Sequence, residues 1–143
     1  MKITQISSFI ENRPGRLHAA CAALAAKGVN IHTLSLADTS EFGILRLIVA
    51  DPAAAKAALE GAGYIAKFTD VVAVEIPDDA GGLSRILAHV DAAGLNIEYM
   101  YAFSTIVGEH AIVIIRFTDA DRAVAELQQR GVNVIEPVKL FEQ

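Results

Sequence analysis

The chain repeats itself, and the repeat constrains its fold more than any other feature. Arg13-Pro14-Gly15-Arg16-Leu17 aligns with Asp79-Ala80-Gly81-Gly82-Leu83 at an offset of 66, and the same offset carries Gly28-Val29-Asn30-Ile31 onto Gly94-Leu95-Asn96-Ile97. Between these markers Leu17, Ala20, Cys21 and Leu24 map onto Leu83, Ile86, Leu87 and Val90. Both sets follow the i, i+3, i+4, i+7 spacing that one helix face buries. Further on, Ile44-Leu45-Arg46-Leu47 matches Ile114-Ile115-Arg116-Phe117 at an offset of 70, which implies four extra residues in the second copy, and Leu59 matches Leu127 at 68. Four ordered matches define a tandem duplication with its seam near Asp70, and hence two domains, residues 1–69 and 70–143.

Each copy reads strand, helix, strand, strand, helix, strand. In the first, Lys2–Glu11 alternates and stops at the turn sequence Asn12-Arg13-Pro14-Gly15. A helix over Arg16–Lys27 ends at Gly28, which suits a left-handed C-cap. Ile31–Ala37 and Ile44–Ala50 form a hairpin around Asp38–Gly43. Asp51-Pro52 opens a helix over Ala53–Ala62, and Tyr64–Phe68 is a short last strand. The second copy repeats this as Val71–Ile76, Leu83–Ala93, Asn96–Phe103, Ala111–Phe117, Ala120–Arg130 and a final strand Val132–Phe141. The order predicts an α+β, ferredoxin-like fold: two βαββαβ repeats, each an antiparallel sheet with its helices on one face. The third strand of each copy is apolar on both faces: Leu45, Leu47 and Val49 can meet the helices while Ile44, Arg46 and Ile48 face away, as do Ile112, Ile114 and Arg116. Such strands are normally covered on both sides, by the other repeat or by another subunit.

Composition narrows the function classes. Hydrophobic residues make up 53% and charged residues 20%, ample for a core and unlike a disordered chain. The longest apolar runs, such as Ala111–Ile115, fall far short of the roughly 18 residues a membrane span needs. Met1-Lys2 leads straight into a strand with no signal-like core, so a cytoplasmic location is the expectation. Net charge is −5 and no Lys/Arg cluster exceeds a dipeptide, which argues against nucleic acid. One cysteine, Cys21, allows neither an internal disulfide nor a cysteine-based metal cluster.

The first strand–helix turn is the sharpest candidate site. Gly15 lets a ligand approach the backbone, the following helix N-terminus offers N–H groups to a carboxylate, and Asn12 adds a donor and an acceptor. The same residues also suffice simply to build a turn. Asn30 and Asn96 recur at matching points after the first helix of each copy, as a structural need or as a repeated site. Asn133, in another Gly-Val-Asn, lies in a different element and reads as coincidence. His18, His32, His89 and His110 show no metal spacing, and Cys21 fits an apolar filler. Asp78-Asp79 are adjacent on a loop, a poor geometry for paired carboxylate chemistry. No phosphate loop, nucleophile elbow or Ser/His/Asp set is present. The expectation is no enzyme, no cofactor and no metal.

Asn-Arg-Pro-Gly-x-Leu after strand one, Gly-Val-Asn-Ile after helix one and Phe-Gly-Ile-Leu-Arg-Leu in strand three resemble the ACT domain, here twice in tandem over nearly all 143 residues. ACT domains are regulatory modules that commonly sense amino acids and accompany enzymes of amino-acid metabolism. The first repeat is similar to the serine-sensing ACT domain of phosphoglycerate dehydrogenase. The resemblance implies an effector held at an interface between two ACT repeats or subunits by Asn12, Pro14, Gly15, Arg16, Leu17, Asn30 and Ile31. Their counterparts in the second copy are Asp78, Gly81, Gly82, Leu83 and Asn96. Ile10 stands where the serine-sensing pattern has a histidine, and Asp78 and Ala80 replace Asn12 and Pro14, so serine itself is not implied and the first repeat is the better candidate. The implied partners are a small-molecule amino acid, a separately encoded amino-acid-metabolism enzyme, and a second copy in a homodimer. The alternative is an interaction module that dimerises through its sheets without ligand.

Overall fold

A computed structural model describes residues 1–38, 41–103 and 110–141, except for the side chain of Asp38. The chain divides into two compact units, Thr4–Thr69 and Asp70–Gln143, the latter joined by Met1–Ile3. Lys2 Nζ lies 3.1 Å from Asp121 and 3.5 Å from Asp70, both in that unit.

In the unit Thr4–Thr69, the elements are β1 (Ile3–Glu11), α1 (Arg16–Ala26), β2 (Thr33–Asp38), β3 (Phe42–Ile48), α2 (Pro52–Gly61) and the start of β4 (Ala66–Pro77). The strand order is β2-β3-β1-β4, and β3 runs antiparallel to both β1 and β2. Alternate residues Ile6 and Ile10 of β1, and Leu45, Leu47 and Val49 at β3, form one core with Ala20 and Leu24 of α1 and Ala55, Ala58 and Leu59 of α2. Both helices therefore lie on one face, as the period-two strand pattern requires. Cys21 is only partly buried.

The other unit continues with the rest of β4, α3 (Gly82–Ala92), β5 (Ile97–Ala102), β6 (His110–Phe117), α4 (Ala120–Gln129) and α5 (Pro137–Phe141). Its strand order is β4-β6-β5, antiparallel throughout. Val72, Val74, Ile76, Val113, Ile115 and Phe117 pack with Ile86 and Val90 of α3 and Ala123 and Leu127 of α4. On the strand faces away from the helices, Ile48, Ile112 and Ile114 are buried, while Ile44 is half-buried.

Four details differ from the sequence reading. Tyr64–Phe68 and Val71–Ile76 are not separate strands, because β4 runs unbroken through the seam at Asp70. The expected final strand Val132–Phe141 is reduced to a single bridge, Val74 to Val134, with Glu75 N donating to Asn133 O (3.0 Å) and Ile135 N to Ala73 O (2.8 Å). Pro137 lacks an N–H for a ladder and has the φ of a helix start, so it opens α5 instead. Leu83, placed on the buried stripe of α3, is 41% exposed. The fourth concerns the repeat itself. Ile6 pairs with Leu47 and Val72 with Ile115, while Leu34 pairs with Leu47 and Met100 with Ile115. Leu47 thus corresponds to Ile115, 68 positions on, rather than to Phe117, and the second copy is longer by two residues, not four. The first hairpin connection, expected at Asp38–Gly43, lies partly outside the described residues.

Candidate functional site

At the end of β1 the backbone folds over on itself: Asn12 N donates to Glu41 O (3.0 Å), Arg13 N to Glu11 O (2.8 Å), and the Arg13 guanidinium pairs with the Glu11 carboxylate. Gly15 then caps α1 at φ 85°, as Gly81 caps α3 at 87°. L-residues rarely adopt this conformation. A Cβ on Gly15 would meet nothing within 4 Å, so the backbone angle, not space, selects glycine there. Neither α1 nor α3 has a side-chain cap. By contrast, Asp51 and Asp119 accept from Ala54 N and Arg122 N at 3.1 Å and cap α2 and α4. Arg16 N is bonded to Arg13 O (3.3 Å) and Gly82 N to Asp79 O (3.2 Å), so only the later N–H groups of each first turn, those a side-chain cap would meet, are offered to solvent or to an anion.

Beside this turn lies a cavity of about 220 Å³ lined by Ile10, Glu11, Asn12, Arg13, Leu17, Leu36 and Gly43. Gly43 pairs with Ile10 on the helix side of the sheet and contributes no side chain; a Cβ there would come within 3.1 Å of Leu36 Cδ1. The counterpart of Gly43 by ladder register is Ala111, paired with Ile76. Ile10, Leu17 and Leu36 make an apolar wall, and Glu11, Asn12 and Arg13 a polar rim.

The structure brings Asn12 and Leu17 together in this cavity and separates the other expected residues. Pro14, Gly15 and Arg16 line a different, open depression with Arg13 and Ala19. The Arg16 carbonyl accepts a hydrogen bond from the Tyr64 hydroxyl at 3.1 Å. Asn30 lies beyond the far end of α1, in a depression with Lys27, Gly28 and His32, and Ile31 packs on the core. Eleven helical residues span about 16 Å, so a single unit does not present Asn12 and Asn30 to one small ligand. In the other unit Asn96 Nδ2 donates to Thr118 Oγ1 (3.0 Å) and Thr118 N to Asn96 O (3.1 Å), a structural tie. Asp78 is exposed, and Gly82 is buried so tightly that a Cβ would sit 2.1 Å from the Pro77 carbonyl oxygen. Sequence reasoning missed Leu36 and Gly43; the only signal for them is the register that pairs Ile10 with Gly43. Among the described residues, no group of three or more His, Cys, Asp or Glu could hold a metal ion, and no helix is long and apolar enough to cross a membrane.

The fold defines a tandem pair of ferredoxin-like α+β modules. The family model of the ACT domain pair matches residues 1–142, and the chain belongs to that family, a class of regulatory domains. It is similar to protein BT0572 from Bacteroides thetaiotaomicron, with 35% identity over 100% of this chain and 98% of that one, at a TM-score of 0.92. Its fold is also similar to the ligand-free regulatory subunit of aspartate kinase from Thermus thermophilus, at 22% identity, 87% of each chain and a TM-score of 0.66. The corresponding subunit from Thermus flavus gives 24% identity, 88% and 90% coverage, and 0.61. No curated protein matches the chain in sequence.

Proposed function

We propose that this protein is a non-catalytic, cytoplasmic regulator that binds an amino acid in the cavity beside the first strand–helix turn. The observation that carries the reading is the combination of that cavity with an uncapped helix start. The Leu17 N–H, in the first turn of α1 and beside the cavity, suits the ligand carboxylate, Asn12 suits its ammonium group or a side-chain hydroxyl, and Ile10, Leu17 and Leu36 suit an apolar stem. Because Asn30 lies at the opposite end of α1, it joins a ligand only from another ACT unit, which makes the effector a bridge between units. A ligand that prefers one arrangement of units shifts their equilibrium by its differential affinity, and a separately encoded amino-acid-metabolism enzyme reads that shift. The regulatory subunits of aspartate kinase among the similar folds support this reading.

A thermal-shift screen of the whole chain against the twenty amino acids and their biosynthetic intermediates tests it. At least one raises the melting temperature at millimolar concentration; silence from all of them contradicts the proposal. A second reading is favoured by Leu34 and Leu36, which are nearly half exposed on β2, the outermost strand of its sheet: a dimer held through that edge without ligand. Light scattering that shows a stable dimer, indifferent to every metabolite, would select it.

A further inference from the structure

The unit Asp70–Gln143 holds a second groove, which touches the second strand–helix turn at Pro77 and Gly82. Its volume is about 350 Å³, and Glu75, Arg85, His89, His110 and Asn133 line it, with Ile86 and Val132 as the apolar part. We propose that this groove is a binding site for a small oxyanion, a carboxylate or phosphoryl group, separate from the cavity at Asn12.

The geometry divides the groove's polar side chains into two roles. Glu75, on β4, has both carboxylate oxygens engaged: His110 Nδ1 donates to Oε1 at 3.0 Å, and Asn133 Nδ2 donates to Oε2. Its side chain is only 26% exposed. A carboxylate so occupied orients rather than binds. It fixes the His110 ring by one nitrogen and leaves Nε2 for a ligand, a nitrogen that donates to an oxyanion when the ring is the imidazolium. Arg85 and His89 stand four residues apart on α3 and hence on one helix face. Arg85 rests one guanidinium nitrogen on Asp79 Oδ1 at 2.8 Å, an exposed pair that water screens. Its planar fork keeps further donors for a second acceptor. Arg85, His89 and His110 therefore border the groove with nitrogen groups for a ligand, while Asn133 Nδ2 and the Glu75 carboxylate satisfy each other.

The other copy shows that the fold does not require this chemistry. By strand register and helix offset, Glu75, Arg85, His89, His110 and Asn133 correspond to Phe9, Ala19, Ala23, Phe42 and Ile65. The matching groove in the unit Thr4–Thr69 is lined by Phe9, Phe42, Tyr64 and Ile65 together with Glu11 and Arg16, which stand where the second copy has Pro77 and Gly82. All five polar positions are apolar in an otherwise equivalent frame. Placing a partly buried carboxylate on a strand costs free energy unless its partners are supplied, and here His110 and Asn133 supply them. The chain as a whole carries a charge of −5, so diffuse attraction of anions is disfavoured and binding would report on the groove.

Calorimetric titration of the full chain with inorganic phosphate and with tricarballylate, each in a buffer free of either, tests the proposal, with the histidine ring signals followed by NMR. The expected result is a millimolar or tighter dissociation constant and movement of the His89 and His110 ring signals. Phosphate alone names a phosphoryl ligand, tricarballylate alone a carboxylate, and either supports the site. Arg85→Ala with His89→Ala, the residues that the first copy carries there, weakens binding at least tenfold with an unchanged circular dichroism spectrum. His110→Phe does the same. Asn12→Ala leaves oxyanion binding as it is, which separates this site from the proposed amino-acid cavity. Silence of both anions, unmoved ring signals, full binding by the double variant, or loss in Asn12→Ala overturns the proposal.

Discussion

Gly15 and Gly82 are both glycines at the start of a helix, yet opposite physics selects them. Gly15 sits in open space at φ 85°, so Gly15→Ala meets only backbone strain, about 1 kcal/mol. Gly82→Ala drives a methyl into the Pro77 carbonyl and should cost about 1–3 kcal/mol by overpacking. Thermal unfolding should rank Gly82→Ala as the more destabilised of the two; the reverse order would contradict the assignment. The asparagines show how far residue patterns are legible. Asn30 and Asn96 occupy the same motif, but Asn96 ties to Thr118, and the first copy has Ala50 at the matching place. Near-identical local sequence hid that difference, because the partner lies 22 residues away. In the same way Asn133, which reads as coincidence in sequence, holds Glu75.

Among the elements, the helix starts fall into two kinds. Asp51 and Asp119, in equivalent places, cap α2 and α4 with the same hydrogen bond. Asp51→Ala and Asp119→Ala should each cost about 1 kcal/mol, measured by urea unfolding with an unchanged m-value; a loss near zero would mean that water replaces the cap. The apolar helix stripes and turn signals made α1 to α4 readable to within a few residues. Strand alignment was less legible for a reason of period. A slip by two residues keeps every side chain on its face, so Ile44-Leu45-Arg46-Leu47 fits Ile114-Ile115-Arg116-Phe117 as well in hydrophobic pattern as it fits its true partner. Only the ladder, with Leu47 against Ile6 and Ile115 against Val72, resolves the register. The missing last strand has a plainer origin in Pro137, whose ring ends the extended run that Val132 begins.

For the whole molecule, the duplication explains why each unit has its own core of strand and helix residues and why the copies could diverge on a shared frame. Gly43 opens a cavity in one copy where Ala111 packs in the other, and Phe9, Phe42 and Ile65 line a groove in one where Glu75, His110 and Asn133 line its counterpart in the other. The fold was legible because it rests on local periodicity repeated twice. The site was legible only in part: Asn12 and Leu17 carry a motif, whereas Leu36 and Gly43 enter through long-range pairing. The central claim is that an amino acid binds in the Asn12–Leu17 cavity. Isothermal titration of the amino acid that gives the largest thermal shift, into the full chain and into a folded Asn12→Ala variant, tests it most directly. The account predicts at least a tenfold weaker dissociation constant for the variant, about 1.4 kcal/mol; equal affinity for the two proteins would contradict it.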